Sequence, residues 1–239
     1  MIERHFTKLR MRDDISREEE NALRAAIDGT ISFPPDRIVL HAGRELTHST
    51  LLLDGIACRY KDLRGGERQV TGLHLPGDFL DLHGFTLKRL DQHVATLTAC
   101  TFATVPHTAL TAITERLPHL TRAYWFETNL DAAIHREWEV SLGRRTARGR
   151  LAHLFCELQV RLEVVGLAEA DGYALPLTQS DLAECMGLTT VHTNRTLREL
   201  RTAGLVEFRD GRVTILDLAG LRQAADFDPA YLYLEKRAR

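Results

Sequence analysis

The sequence predicts an α+β chain: a small antiparallel β-barrel or sandwich, then one long helix, then a helix–turn–helix followed by a β wing. Three observations carry that prediction. From Phe33 to about Leu110, short β-prone pieces alternate with glycine turns. From Leu110 to Leu142, a helical stripe recurs at spacings of three and four. Residues 178–204, TQSDLAECMGLTTVHTNRTLRELRTAG, set two short helical patterns on either side of Gly187, and Asp210-Gly211 supplies a two-residue hairpin signal beyond them.

Composition sets the limits. With 44% hydrophobic and 27% charged residues in 239, the chain is globular and long enough for two domains. No apolar run approaches the roughly 20 residues of a membrane span. The opening MIERHFTKLRMRDD lacks the apolar core of a secretory signal, so a cytoplasmic chain without membrane contact is expected. The four cysteines, Cys58, Cys100, Cys156 and Cys185, contain no C-x-x-C pair. Neither a disulfide framework nor a cysteine-rich metal site is expected from them. The net charge of −2 argues against coating nucleic acid by bulk charge. Yet all but four of the 31 basic residues are Arg, whose planar fork suits phosphate or guanine.

Residues 1–29 read as a helical lead-in, with Ser16 as N-cap of SREEENALRAAI and Leu23, Ala26 and Ile27 on its apolar side. Residues 30–110 form the β-rich domain, punctuated by Gly43, Asp54-Gly55, Gly65-Gly66, Gly72 and Pro76-Gly77. Residues 111–142 form the long helix. Its stripe is Leu120, Tyr124, Glu127, Leu130, Ile134 and Trp138. A helix of that length exceeds what a small barrel covers alone, so the stripe predicts a dimerisation seam with a second copy. The competing reading is a helix packed on its own domain, and Glu127 interrupts a purely apolar seam. The basic segment GRRTARGR, 143–150, holds Gly143 and Gly149 and predicts a hinge. A helix resumes at Leu151, and LAEADGYALP reads as a loop. Residues 143–220 make the C-terminal domain, and 221–239 a tail with a weak apolar pattern.

The helix–turn–helix follows from local chemistry. Thr178 caps its first helix, with Asp181 at the acidic position of a capping box. Leu182, Ala183 and Met186 face inward, and Gly187 permits a left-handed corner. Thr189 caps the second helix, Leu197 and Leu200 anchor its far end, and Gly204 stops it. The front of that helix is polar and contributes nothing to a core, which fits a helix entering the DNA major groove N-terminus first. Arg195 can pair with guanine, Asn194 with adenine, and Val191 can touch a thymine methyl. Thr178, Gln179, Ser180, Thr189, Thr190 and His192 complete the candidate contacts at the helix fronts, with Arg198 and Arg201 near the backbone. Residues 188–201 carry three Arg and one Glu, while 141–220 hold ten Arg and ten acids. Placed contacts, more than a bulk field, should therefore carry binding.

On these residues the chain resembles the Crp/Fnr family of bacterial transcription regulators, over about 30–220. The carriers are VTGLHLPGDF (70–79), the long helix, RTARGRLA (145–152), LTQSDLAECMGLTTVHTNRTLREL (177–200) and GLVEFRDGRVTI (204–215). The resemblance implies a cyclic-nucleotide-binding-like antiparallel β-roll, a long dimerisation helix and a C-terminal winged helix–turn–helix. It also implies a homodimer on a palindromic site in double-stranded DNA, signalling through the hinge, with RNA polymerase as a further candidate partner. Many family members carry glutamate where this chain has Val191, a small residue at Asn194, and aliphatic residues at Thr193 and Thr196. Half-site preference should differ accordingly.

Cyclic-nucleotide binders of the family cradle phosphate with a Gly-Glu and an Arg-Ser pair. These fall here on Asp81 and Leu82, and near His93 and Val94. Cyclic AMP is therefore not expected, and Asp81 is expected to repel a phosphate. The oxygen-sensing branch needs an N-terminal cysteine cluster, and residues 1–57 contain no cysteine. No cofactor or metal is assigned, and the small-molecule effector is left unnamed. His41, His48, His74, His83, His93 and His107 raise a metal or haem site as one option, and surface or hydrogen-bonded core histidines as the other. Cys58 or Cys100 would sense oxidation only if exposed. An enzyme on a cupin-like barrel would need a His-x-His pair, and this sequence has none; His74 and His83 are nine apart. No enzyme is expected. The alternative is a ligand- or metal-binding β-barrel module acting through protein contacts, against which Arg195 and the wing argue.

Overall fold

The computed structural model describes residues 2–238; residues 1 and 239, the ends of the expected lead-in and tail, lie outside it. Two helices, α1 (Glu3–Arg12) and α2 (Arg17–Ala26), lead into β1 (Gly29–Phe33), β2 (Ile38–Leu40), β3 (His48–Asp54), β4 (Ala57–Asp62) and β5 (Arg68–His74). A single turn, α3 (Gly84–Leu87), precedes β6 (His93–Thr96) and β7 (Cys100–Pro106). Then come α4 (His107–Arg116), α5 (Pro118–Arg144) and α6 (Ala147–Val164). The chain continues with β8 (Ala168–Glu169), β9 (Gly172–Ala174), α7 (Gln179–Met186), α8 (Thr190–Thr202), β10 (Val206–Arg209), β11 (Arg212–Ile215) and α9 (Leu218–Ala225), and closes with a 3₁₀ turn at Pro229–Leu232. These elements divide into two compact units. One holds residues up to Lys61, Gly72–Ala132 and the tail from Tyr233; the other holds Asp62–Thr71 and Ala133–Leu232.

In the first unit, antiparallel sheets run in the orders β1-β7-β3 and β2-β6-β4. Alternating residues of their strands turn inward: Leu52, Ala57, Val94, Cys100 and Phe102 pack with Leu80 and Leu90. A second core lies under the helices. Phe6 and Leu9 of α1 and Leu23 of α2 meet Leu51, Val105, Ile113, Leu120 and Tyr124. The lead-in comprises two helices. The Ser16 cap is real and closes a full box, with Glu19 Oε2 accepting from the Ser16 backbone N–H at 2.8 Å.

The long helix departs from expectation in three ways. It is cut at Leu117, because the residue before a proline is driven out of the helical region while Pro118 itself suits a first helical position. Gly143 lies inside α5 and Gly149 inside α6; the break between them is only Arg145 and Thr146, whose Oγ1 accepts from the Gly149 N–H at 3.2 Å. The stripe read as a seam is covered by its own chain. Leu120 and Tyr124 sit in the first unit's core, and Glu127 takes the Lys8 ammonium at 2.5 Å. Leu130 is buried, Ile134 is half-buried, and Trp138 donates its indole N–H to Glu157. Helix α1 and the segments packed on the far half of α5 supply the covering expected of a second subunit. The opposite face, with Arg122, Trp125, Asn129, Arg136 and Val140, is exposed, Trp125 by 69%.

In the second unit α6 is the central element, with Leu151, Leu154, Phe155 and Leu158 buried. Glu157 is fully buried yet satisfied. It accepts from Trp138 Nε1 at 3.2 Å, from Arg161 at 3.0 Å and from the Tyr231 hydroxyl at 2.8 Å. The segment read as a loop is the hairpin β8–β9, which joins the wing in the order β10-β11-β9-β8. Gly172 makes that possible: at φ 147 a Cβ there would meet the Val213 carbonyl oxygen at 2.0 Å.

Candidate nucleic-acid interface

Two capped helices meet at one glycine. Thr178 Oγ1 accepts from the Asp181 N–H at 3.1 Å, and Asp181 Oδ2 accepts from the Thr178 N–H at 2.7 Å. Gly187 ends α7 at φ 60, the left-handed conformation that costs glycine least. Two residues later Thr189 opens α8, accepting from the His192 N–H at 3.2 Å. The last carbonyls of α7 are not left bare. Gln69 Nε2 donates to Glu184 O at 2.9 Å and Cys185 O at 3.3 Å, and Arg150 donates to Met186 O at 2.9 Å. Sequence reasoning missed Gln69 and Arg150, since local pattern cannot pair residues 115 and 36 positions away from their carbonyls.

Helix α8 has two unlike faces. Thr193, Thr196 and Leu200 are buried. The threonines therefore occupy inner positions, and Thr196 satisfies its hydroxyl by donating to His192 O at 2.9 Å. Thr190, Val191, Asn194, Arg195, Arg198 and Arg201 are exposed, with His192 half-buried. Val191 is 82% exposed. Thr178, Ser180 and Thr189 are exposed at the fronts of the two helices, and Gln179 is half-buried between them. Arg195 Nε rests 3.7 Å from Glu199 and Arg201 3.8 Å from Glu207, both exposed, screened contacts that a stronger anion can replace. Gln179, Asn194, Leu197, Arg198, Arg201 and Phe208 line a cleft of about 200 Å³. Beyond α8, Asp210 (φ 50) and Gly211 (φ 72) turn the wing between Arg209 and Arg212.

Asp81 is fully buried, and Thr50 donates its N–H to Oδ1 at 2.6 Å and its hydroxyl to Oδ2 at 3.4 Å. Burial raises its pKa to about 7, against the pull of Thr50 and Arg59. Buried and with its pKa raised, Asp81 carries less than a full negative charge near neutral pH, so the expected repulsion of a phosphate is weakened. Leu82 and Val94 are buried, and His93 stacks on Tyr60 with ring centres 5.4 Å apart. His41 is 5.8 Å from His93, His48 meets Asp28, and His107 meets Ser49. His74 is buried, and burial lowers the pKa of His83. Among the described residues these histidines do not converge on a set of three metal ligands. Cys58 and Cys100 are buried, and burial raises the Cys100 pKa. No helix among the described residues is long and apolar enough to cross a membrane.

Comparison with known proteins agrees with this layout. Residues 149–224 match a family model described as a Crp-like helix-turn-helix domain, and residues 30–116 one described as a cyclic nucleotide-binding domain. The transcriptional activator protein FnrL of Cereibacter sphaeroides is 30% identical over 204 residues, spanning 82% of this chain and 80% of that protein. The nitrogen fixation regulation protein FixK of Bradyrhizobium diazoefficiens is 30% identical over 179 residues, spanning 73% and 72%. Among solved structures, FixK2 from Bradyrhizobium japonicum shares the fold with a TM-score of 0.75 at 23% identity, covering 82% of this chain and 96% of that one. The chain belongs to the Crp/Fnr family of transcription regulators.

Proposed function

We propose that the protein binds a two-fold palindromic duplex as a homodimer, with one α8 in the major groove of each half-site. The observation that carries this reading is the division of α8. Its inner face is consumed by packing, while Val191, Asn194, Arg195 and Arg198 stand exposed with donors, an acceptor and a methyl-binding surface suited to base edges and phosphates. The exposed face of α5, with Trp125 and Val140, is the seam we assign to the dimer in place of the covered stripe. The test is selection of randomised duplex DNA by the purified full-length protein at stated salt. The expected result is enrichment of a palindrome whose half-sites lie about one helical turn apart. Enrichment of a single unpaired half-site would remove the dimer; no enrichment would remove base reading by α8.

The β-roll is proposed to act without cyclic AMP. Asp81 and Leu82 stand where a donor-rich phosphate cradle is required, and both are buried. DNA affinity measured with and without excess cyclic AMP should be unchanged; a rise in affinity would overturn this.

A further inference from the structure

We propose that Gln179 is a positioning residue for base reading: from α7 it holds the Asn194 amide of α8 in the orientation that recognises adenine. The inference rests on the reading of α8 as the base-reading helix. Asn194 Nδ2 donates to Gln179 Oε1 at 2.9 Å, across the helix–turn–helix corner and between residues fifteen apart. Neither side chain has another hydrogen-bond partner among the described residues. Both ends of the pair are fixed. Gln179 is the first residue of α7, directly after the Thr178 cap of the Thr178–Asp181 box. Asn194 is flanked on α8 by buried Thr193 and lies two residues before buried Thr196.

The chemistry of an amide makes this contact directional. Asn194 Nδ2 carries two hydrogens, and Gln179 takes one. Oδ1 and the second hydrogen are left as an acceptor and donor side by side, the pair that matches adenine N6–H and N7. An unheld exposed asparagine rotates freely and must be ordered on binding; a held one is preorganised. Gln179 keeps its own Nε2 hydrogens, which can reach a phosphate oxygen. One residue would then couple the backbone contact of α7 to the base contact of α8.

The experiment uses full-length protein, a randomised duplex pool and competition between single-base variants of the selected site. Asn194→Ala should relax preference at one base pair in each half-site, by roughly tenfold. Gln179→Ala should relax preference at the same pair, and Gln179→Ala combined with Asn194→Ala should relax it no further than Asn194→Ala alone. Gln179→Glu still offers an oxygen to Nδ2, so it should keep the base preference while affinity falls on all sequences alike. Even loss of affinity in Gln179→Ala with preference intact, or relaxation at a different base pair, would overturn the proposal. Arg195→Ala separates the two levels. If it relaxes its own base pair while the Gln179 and Asn194 variants leave every preference intact, the positioning role alone falls. If Arg195→Ala also leaves every preference intact, base reading by α8 falls and the positioning role with it.

Discussion

Val191 contributes almost nothing to the fold, since its isopropyl group is 82% exposed on the first turn of α8. Its replacement therefore separates recognition from stability. Val191→Ser should change unfolding free energy by less than about 0.5 kcal/mol. It should weaken preference for a thymine at one position of the half-site, because the methyl contact is lost. Thermal melts and base-by-base competition check the two halves, and an unchanged preference would remove Val191 from the interface. His153 poses the opposite case. It is buried among Phe227 and Tyr231, and its Nε2 lies 3.3 Å from Glu137 without making a hydrogen bond. Burial, aided by Arg145, lowers its pKa from 6.5 to about 3. The unfolded chain takes up a proton below the ordinary value while the folded chain does not. Stability is therefore complete above 6.5 and is lost as pH falls toward 3, by about 1.4 kcal/mol per pH unit. His153→Leu should flatten the fall in urea midpoint between about pH 7 and about pH 5. Equal slopes for the two proteins would show that His153 is not the group responsible.

At the scale of elements, caps and faces make separable predictions. Thr178→Ala removes the box that starts α7 and should cost about 1 kcal/mol in urea unfolding, with weaker DNA binding because Gln179 follows directly. Trp125→Glu places a charge on the exposed face of α5 and should shift the protein toward monomer in sedimentation while leaving the helical circular dichroism unchanged. A variant that stays dimeric would place the seam elsewhere. These elements also show what the sequence could and could not convey. The Ser16 cap, the Thr178–Asp181 box, the Gly187 corner and the Asp210-Gly211 turn were legible because each is decided within four residues. The cut at Pro118 is equally local, but the apolar period continues across it and masks it. The orientation of the α5 stripe was not legible. Periodicity says that a face is buried, but α1, 119 residues away at the Lys8–Glu127 pair by fold and not by pattern, decides against what. The Gln179–Asn194 contact was hidden for the same reason, since each residue was named as a candidate but only the corner brings them together.

For the whole molecule, charge decides how DNA is held. A net charge of −2 gives no net attraction to DNA, and several arginines of the second unit are already paired: Arg145 with Glu137, Arg161 with Glu157, and Arg212 with Glu169 and Asp171. Phosphate neutralisation must then come from a few placed residues, and the dependence of affinity on salt counts them. Arg198 is exposed on α8 one turn beyond Asn194 and Arg195, where the groove gives way to the backbone. Arg198→Ala should therefore weaken binding evenly on all sequences. It should also lower the slope of log affinity against log salt by about one per copy, about two per dimer. Arg195→Ala should instead cost about 1–3 kcal/mol on the selected site and little on others. Fluorescence anisotropy on the selected duplex and on a scrambled one, between about 50 and about 200 mM salt, measures both quantities. If Arg198→Ala leaves the slope intact but erases preference at one base pair, the protein reads bases one turn further along α8 than its exposed front indicates, and the phosphate contacts must lie on α7 and the wing.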